Sequence, residues 1–156
     1  VNGFAAQAPV DFPNREYDAR QCVYGMIFSG VFERYPKLMV GVIEFEIAWA
    51  PYFLGRMDEF YKQRADGVHG RRFSSNALTS DFFRSNVFIG FQEDALGIEM
   101  RHHIGVESLL WGSDYPHAES TFPRSREILD KILEGVPEEE KAKIVGQNTA
   151  QLYHFK

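Results

Sequence analysis

The chain has 156 residues, 44% hydrophobic and 25% charged, with a net charge of −5. That size allows one domain with one sizeable core, and the composition is globular rather than disordered or fibrous. No apolar run approaches the ~20 residues of a membrane helix, no Lys/Arg run marks a nucleic-acid footprint, and a single cysteine, Cys22, excludes an internal disulfide and fits a reducing, cytoplasmic setting.

The first residue is Val1 rather than Met, and the opening stretch has neither the basic nor the apolar region of a signal peptide. The sequence is therefore read as a piece of something longer or as a processed product, a single partial domain over residues 1–156. Val1 to Asp18 carries Gly3, Pro9 and Pro13 without sustained periodicity and is predicted as a loop or arm. From Ala19, Cys22 and Val23, Met26 and Ile27, then Gly30 and Val31 recur at helical spacing, so a helix is expected up to Pro36, with Cys22 on its core face. Leu38 to Phe45 is a short apolar run that suits a buried strand. Phe53, Leu54, Met57, Phe60 and Tyr61 mark a second helix ending near Ala65, and a polar loop follows to Asn76.

Thr79–Ser85 is expected as a short helix, Asn86–Phe91 as a second strand, Gly97–Gly105 as a helix and Ser108–Ser113 as a third strand. Ile128, Leu129, Ile132, Leu133 and Val136 form a further helical stripe, with its start marked by Thr121 and Pro123. Pro137 opens a helix whose acidic triplet Glu138-Glu139-Glu140 lies in the first turn and whose lysines come later, the order the helix dipole favours. Asn148 is expected to cap a last helix, Ala150–Tyr153. Apolar strands alternating with amphipathic helices indicate an α/β fold with about three parallel strands.

Sites in parallel α/β folds form where strands hand over to loops at their C-terminal ends. Past the third strand stands Asp114, followed by Tyr115, Pro116 and His117; a carboxylate there can bind a cation or act as a base, or only cap a turn. The first strand ends in Glu44 and Glu46, which at i, i+2 point the same way while the strand persists. One of them can line the mouth, and the alternative is a structural ion pair with Arg34 or Arg56. After the second strand, Gln92 and Glu93 can contact a substrate, and the favoured reading of Gln92, Glu93 and Asp94 is a solvated acidic turn. Adjacent His102 and His103 on a helix diverge by about 100° and read as surface or packing residues, and His69 reads as solvated. Nucleotide loops, zincin motifs and nucleophile elbows do not occur.

Gly30–Asp58 (GVFERYPKLMVGVIEFEIAWAPYFLGRMD) resembles the sixth-strand region of amidohydrolase-related proteins, and Leu109–Ser125 (LLWGSDYPHAESTFPRS) the eighth. Ser80–Asp94 resembles the part between, and Asn148–Phe155 the usual ending. The resemblance implies the C-terminal part of a (β/α)8 barrel in a metal-dependent hydrolase or decarboxylase of small carbonyl or carboxylate substrates. It implies Asp114 as metal ligand or holder of the metal's water, with His117 and Glu44 shaping the substrate pocket, and a divalent metal, zinc first, as cofactor. The chain has no HxH pair and no histidine before His69, so the metal site of this chain alone is expected to be incomplete and the chain alone inactive. A slice of a barrel exposes edge strands, which implies either homo-oligomerisation or association with the missing N-terminal half. A non-catalytic half-barrel is the competing expectation.

Overall fold

Val40–Val42 (β1), Val87–Phe91 (β2) and Leu109–Trp111 (β3) form one parallel sheet in the order β1-β2-β3. Val40 pairs with Val87 and Val42 with Ile89; Ile89 pairs with Leu109 and Phe91 with Trp111. Side chains alternate across a strand, so the two faces separate cleanly. Val42, Val87, Ile89 and Leu109 belong to the buried core. The other face carries Gly41, Phe88, Gly90 and Leu110, and its glycines reflect crowding. A Cβ on Gly41 would come within 2.6 Å of the Phe88 ring, and one on Gly90 within 2.9 Å of Ile43. The structure, a computed structural model, describes residues 15–67 and 72–155.

The helices are Glu16–Phe28 (α1), Val31–Arg34 (α2), Ala50–Arg64 (α3), Thr79–Asn86 (α4), Ala95–Glu99 (α5), Arg101–Ile104 (α6), Ser125–Ile132 (α7), Glu138–Ala142 (α8) and Asn148–Leu152 (α9). Helical spacing on α3 buries Leu54, Met57 and Tyr61, and on α7 it buries Ile128 and Ile132. Phe32, Phe83, Ile98, Ile104 and Ile144 complete the core with essentially no exposure. Each such side chain stabilises the fold by roughly 1.5–3 kcal/mol relative to exposure. Polar anchors join the layers. Asp58 on α3 accepts from Thr79 Oγ1, Ser80 N and Ser80 Oγ at 2.6–2.9 Å, fastening the start of α4.

Two buried asparagines secure the starting ends of the strands. Asn86 Nδ2 donates to the Pro36 and Leu38 carbonyls at 3.0 and 2.9 Å, just before β1. Asn148 Nδ2 donates to the Val106 and Leu109 carbonyls at 2.8 and 2.9 Å, where β3 begins. Asn148 is therefore an internal helical residue facing the sheet, not the expected cap. A π-helical turn, Lys143–Gln147, lies between α8 and α9 and lets Ile144 and Asn148 both be buried.

Several element boundaries differ from expectation for local reasons. The first helix begins at Glu16, so the predicted loop through Asp18 is shorter at its end; residues 1–14 lie outside the described residues. That helix breaks at Gly30, whose φ of 71° stops it and starts α2. Its buried stripe is Val23 and Ile27, while Cys22 is exposed and not a core residue. The helix expected over 97–105 divides at Met100 into α5 and α6. None of the described helices is long and apolar enough to cross a membrane.

Candidate active site

β1 stops at Val42 because the chain turns out of the sheet. Glu44 and Glu46 adopt left-handed conformations, φ 69° and 51°, and Asp114 after β3 does the same at φ 57°. Such a backbone costs an L-residue roughly 1–2 kcal/mol, and three of the four described non-glycine instances fall at the ends of β1 and β3. The argument that Glu44 and Glu46 share a strand face therefore fails, since neither is in a strand. Their expected ion-pair partners are engaged elsewhere. Arg56 pairs with Glu59, and Arg34 donates to the Ser29 carbonyl at 2.8 Å.

The three loops enclose a cleft of about 740 Å³ at the C-terminal ends of the strands. Its apolar lining includes Ile43, Phe45, Phe91, Leu110 and Trp111, and its polar rim includes Glu44, Glu46, Asp114, His117 and Glu119. The structure thus brings together Glu44, Asp114 and His117 around one cavity. Asp114 follows β3 by three residues, with its side chain 22% exposed. His117 Nδ1 lies 3.3 Å from Asp114 Oδ2, and the His117 main-chain N–H donates to the Asp114 carbonyl at 2.8 Å. The local turn so holds the histidine beside the carboxylate, with the imidazole largely in solvent. Thr121 N and Ser120 Oγ both donate to the Ser113 carbonyl, closing the loop that carries the pair.

Glu46 on the rim and Asp94 beneath it were the least legible residues of this region. Glu46 accepts from the main-chain N–H groups of Gln92 and Glu93, both at 3.3 Å. Burial pushes its carboxyl above the ordinary glutamate range; the two N–H groups pull the other way, and the charges of Asp94 and Glu93 add to the rise. Asp94 is not in a solvated turn. It is buried, and its carboxylate accepts from Ile47 N, Ala48 N and Gly97 N at 2.7–2.8 Å. Gly97 is required there, since a Cβ would lie 2.2 Å from Ile47. The residue order Asp94-Ala95-Leu96-Gly97, a helix N-cap followed by a small residue, is the signal that could have identified it.

Arg15, Glu16, Trp111 and Thr149 also line the cleft and were not singled out from sequence. Arg15 and Glu16 come from the start of α1, and Thr149 from α9, so no local pattern announces their convergence. His102 and His103 are exposed, as expected, with His102 Nε2 3.6 Å from Glu140. His69 lies outside the described residues.

Acidic groups prevail on the rim, and a rim of this charge attracts cations and repels a free carboxylate. Among the described residues, however, no group of three or more His, Cys, Asp or Glu side chains is placed to hold a metal ion. A catalytic zinc uses three protein ligands. The described residues therefore do not by themselves fit a complete divalent-metal site, and Asp114 is at most one donor of such a set.

A family model described as Amidohydrolase matches residues 10–155. An amidohydrolase of Mycobacterium avium subsp. paratuberculosis K-10 is 27% identical with a TM-score of 0.74, over 95% of this chain and 36% of its own. The 5-carboxyvanillate decarboxylase LigW of Sphingomonas paucimobilis is 22% identical with a TM-score of 0.73, over 87% of this chain and 39% of its own. A dihydroxybenzoic acid decarboxylase of Polaromonas sp. JS666, solved with manganese and the inhibitor 2-nitroresorcinol, is 18% identical with a TM-score of 0.67, over 96% and 48%. The three strands are thus part of a (β/α)8 barrel fold, and the chain spans less than half the length of each of these structures. No match was found among curated protein sequences.

Proposed function

The chain belongs to the amidohydrolase family, and from that premise we propose that its cleft is part of the active site of a metal-dependent decarboxylase or hydrolase of a small substrate. Decarboxylation of a carboxylate is the first reading, because solved structures of similar fold include decarboxylases of carboxyvanillate and dihydroxybenzoate. The apolar lining of Phe45, Phe91 and Trp111 suits the organic body of such a molecule, and an apolar setting disfavours a carboxylate relative to carbon dioxide. The single observation that carries the proposal is the position of Asp114: just past β3, on the cleft wall, with His117 against it.

In this reading Asp114 would be one donor to a divalent cation, with further donors needed beyond those the described residues supply. The cation, when bound, supplies Lewis acidity and charge neutralisation for the substrate. Manganese is the first ion to test, from the Polaromonas structure; zinc is the one the sequence resemblance implies. His117 orients the Asp114 carboxylate, and Glu44 borders the substrate. A lone exposed thiol at Cys22 suits the cytoplasm as location.

The test uses the protein at the full length of its own gene, loaded with manganese or zinc and assayed for carbon dioxide release from hydroxybenzoates and for ester or amide hydrolysis. Metal-dependent turnover that collapses in Asp114→Asn supports the proposal; turnover untouched by that change refutes it. The second reading, a non-catalytic half-barrel that self-associates or docks onto a partner, draws on the incomplete metal set among the described residues. Light scattering separates the two, since a metal-free, inactive dimer is what the second reading expects.

A further inference from the structure

We infer that Glu46 is a positioning residue of the cleft, forming with Asp94 a reciprocal clasp that fixes the loops after β1 and β2 against each other. Its role toward substrate rests on the proposed reading of the cleft as the substrate site; the clasp itself does not. The reciprocity is in the hydrogen bonds. Glu46, on the β1 loop, accepts from Gln92 N and Glu93 N of the β2 loop. Asp94, on the β2 loop, accepts from Ile47 N and Ala48 N of the β1 loop. Each loop therefore offers a carboxylate to the other's backbone.

The two arms differ in tightness. The Asp94 contacts measure 2.7–2.8 Å and those of Glu46 3.3 Å, so the Glu46 arm is the looser one. The loop keeps glutamate at a φ of 51°, where glycine would be unstrained. Retained strain of this kind at a cleft wall points to a use for the side chain rather than for the backbone.

The chain's two tryptophans report on the clasp, Trp49 from within the β1 loop and Trp111 from β3. Trp49 Nε1 donates to the Glu46 carbonyl at 2.9 Å, and Trp111 Nε1 to the Gln92 carbonyl at 3.1 Å. Gln92 thus joins the β1 loop to the end of β3: its N–H meets Glu46 and its carbonyl meets Trp111, which lines the cleft. Burial holds the Glu46 carboxyl above the ordinary range, so the looser arm takes up a proton more readily than an ordinary glutamate does. The groups around it are Glu93 and Asp94 on the β2 loop, Glu44 on its own loop, Asp114, His117 and Glu119 after β3, and Arg15 and Glu16 at the start of α1.

The test is nitrogen-15 indole NMR of the protein at its natural length, with the signals assigned by Trp49→Phe and Trp111→Phe, alongside steady-state kinetics. Glu46→Gly suits the left-handed backbone and is expected to keep the thermal midpoint. It should nevertheless move both indole signals and raise KM by roughly fivefold or more while kcat changes by less than about twofold. Glu46→Gln, which keeps one acceptor oxygen, should move the signals less and abolish a pH response that the wild type shows above about 4.5. Indole signals of Glu46→Gly that overlay those of the wild type overturn the clasp, as does a pH response that persists unchanged in Glu46→Gln. Moved signals with an unchanged KM overturn the positioning role. An inactive wild type refutes the proposed function instead, and the indole comparison still decides the clasp.

Discussion

The two ends of the sheet are fastened by opposite chemistries. At the starting ends, neutral amides of Asn86 and Asn148 donate to main-chain carbonyls at 2.8–3.0 Å. At the finishing ends, the carboxylates of Glu46 and Asp94 grip main-chain N–H groups, and Glu44, Glu46 and Asp114 sit at positive φ. Neutral amides do not respond to pH or to cations, whereas carboxylates respond to both. The starting ends thus serve stability alone, whereas the finishing ends combine anchoring by Asp94 with the carboxylates that the proposed function assigns to chemistry, as expected of a barrel whose sites gather beyond the strands' C-terminal ends.

Asp114→Asn should cut the deepest. Turnover of the metal-loaded protein is expected to fall by on the order of 100-fold or more while its urea-unfolding midpoint barely moves; an equal fall in stability would merge the two ends. Next comes Asp94→Ala, which strands three N–H groups and is expected to cost about 2–4 kcal/mol in urea unfolding as well as turnover. Asn148→Ala should cost about 1–3 kcal/mol by removing the amide donor to the Val106 and Leu109 carbonyls, with kcat/KM per folded molecule unchanged. A kinetic defect there would break the division of labour. The smallest effect concerns pH. Because the folded state raises the Glu46 pKa, it binds that proton more tightly than the unfolded chain does. Its contribution is fully present below about 4.5 and is lost as pH rises through the raised value. The wild type should therefore lose stability relative to Glu46→Gln as pH climbs through that window, read from paired urea-unfolding midpoints.

Much of this was legible from residues alone where the signal is local. The three strands and α3, α4 and α7 follow from runs and periodicities, and Asp114 was visible as a carboxylate just past an apolar run. Cys22 was misjudged because its neighbour Val23 carries the burial, and one helical step of about 100° separates core from solvent. The shared strand face expected of Glu44 and Glu46 is absent because periodicity is silent about where a strand leaves its sheet: β1 ends at Val42, and both residues beyond it turn left-handed while still lining the cleft.

By itself, the sequence determined the alternation of apolar strands and amphipathic helices and the candidate at Asp114, since both depend on residues close in the chain. Tertiary structure alone decided that Asp94 is buried under the β1 loop, that Glu46 meets Gln92 and Glu93, and that Arg15 and Thr149 reach the same cleft as Asp114. Those contacts span separations such as the 46 residues between Glu46 and Gln92. They form only once parallel strands set three distant loops side by side, a registration to which no local preference refers.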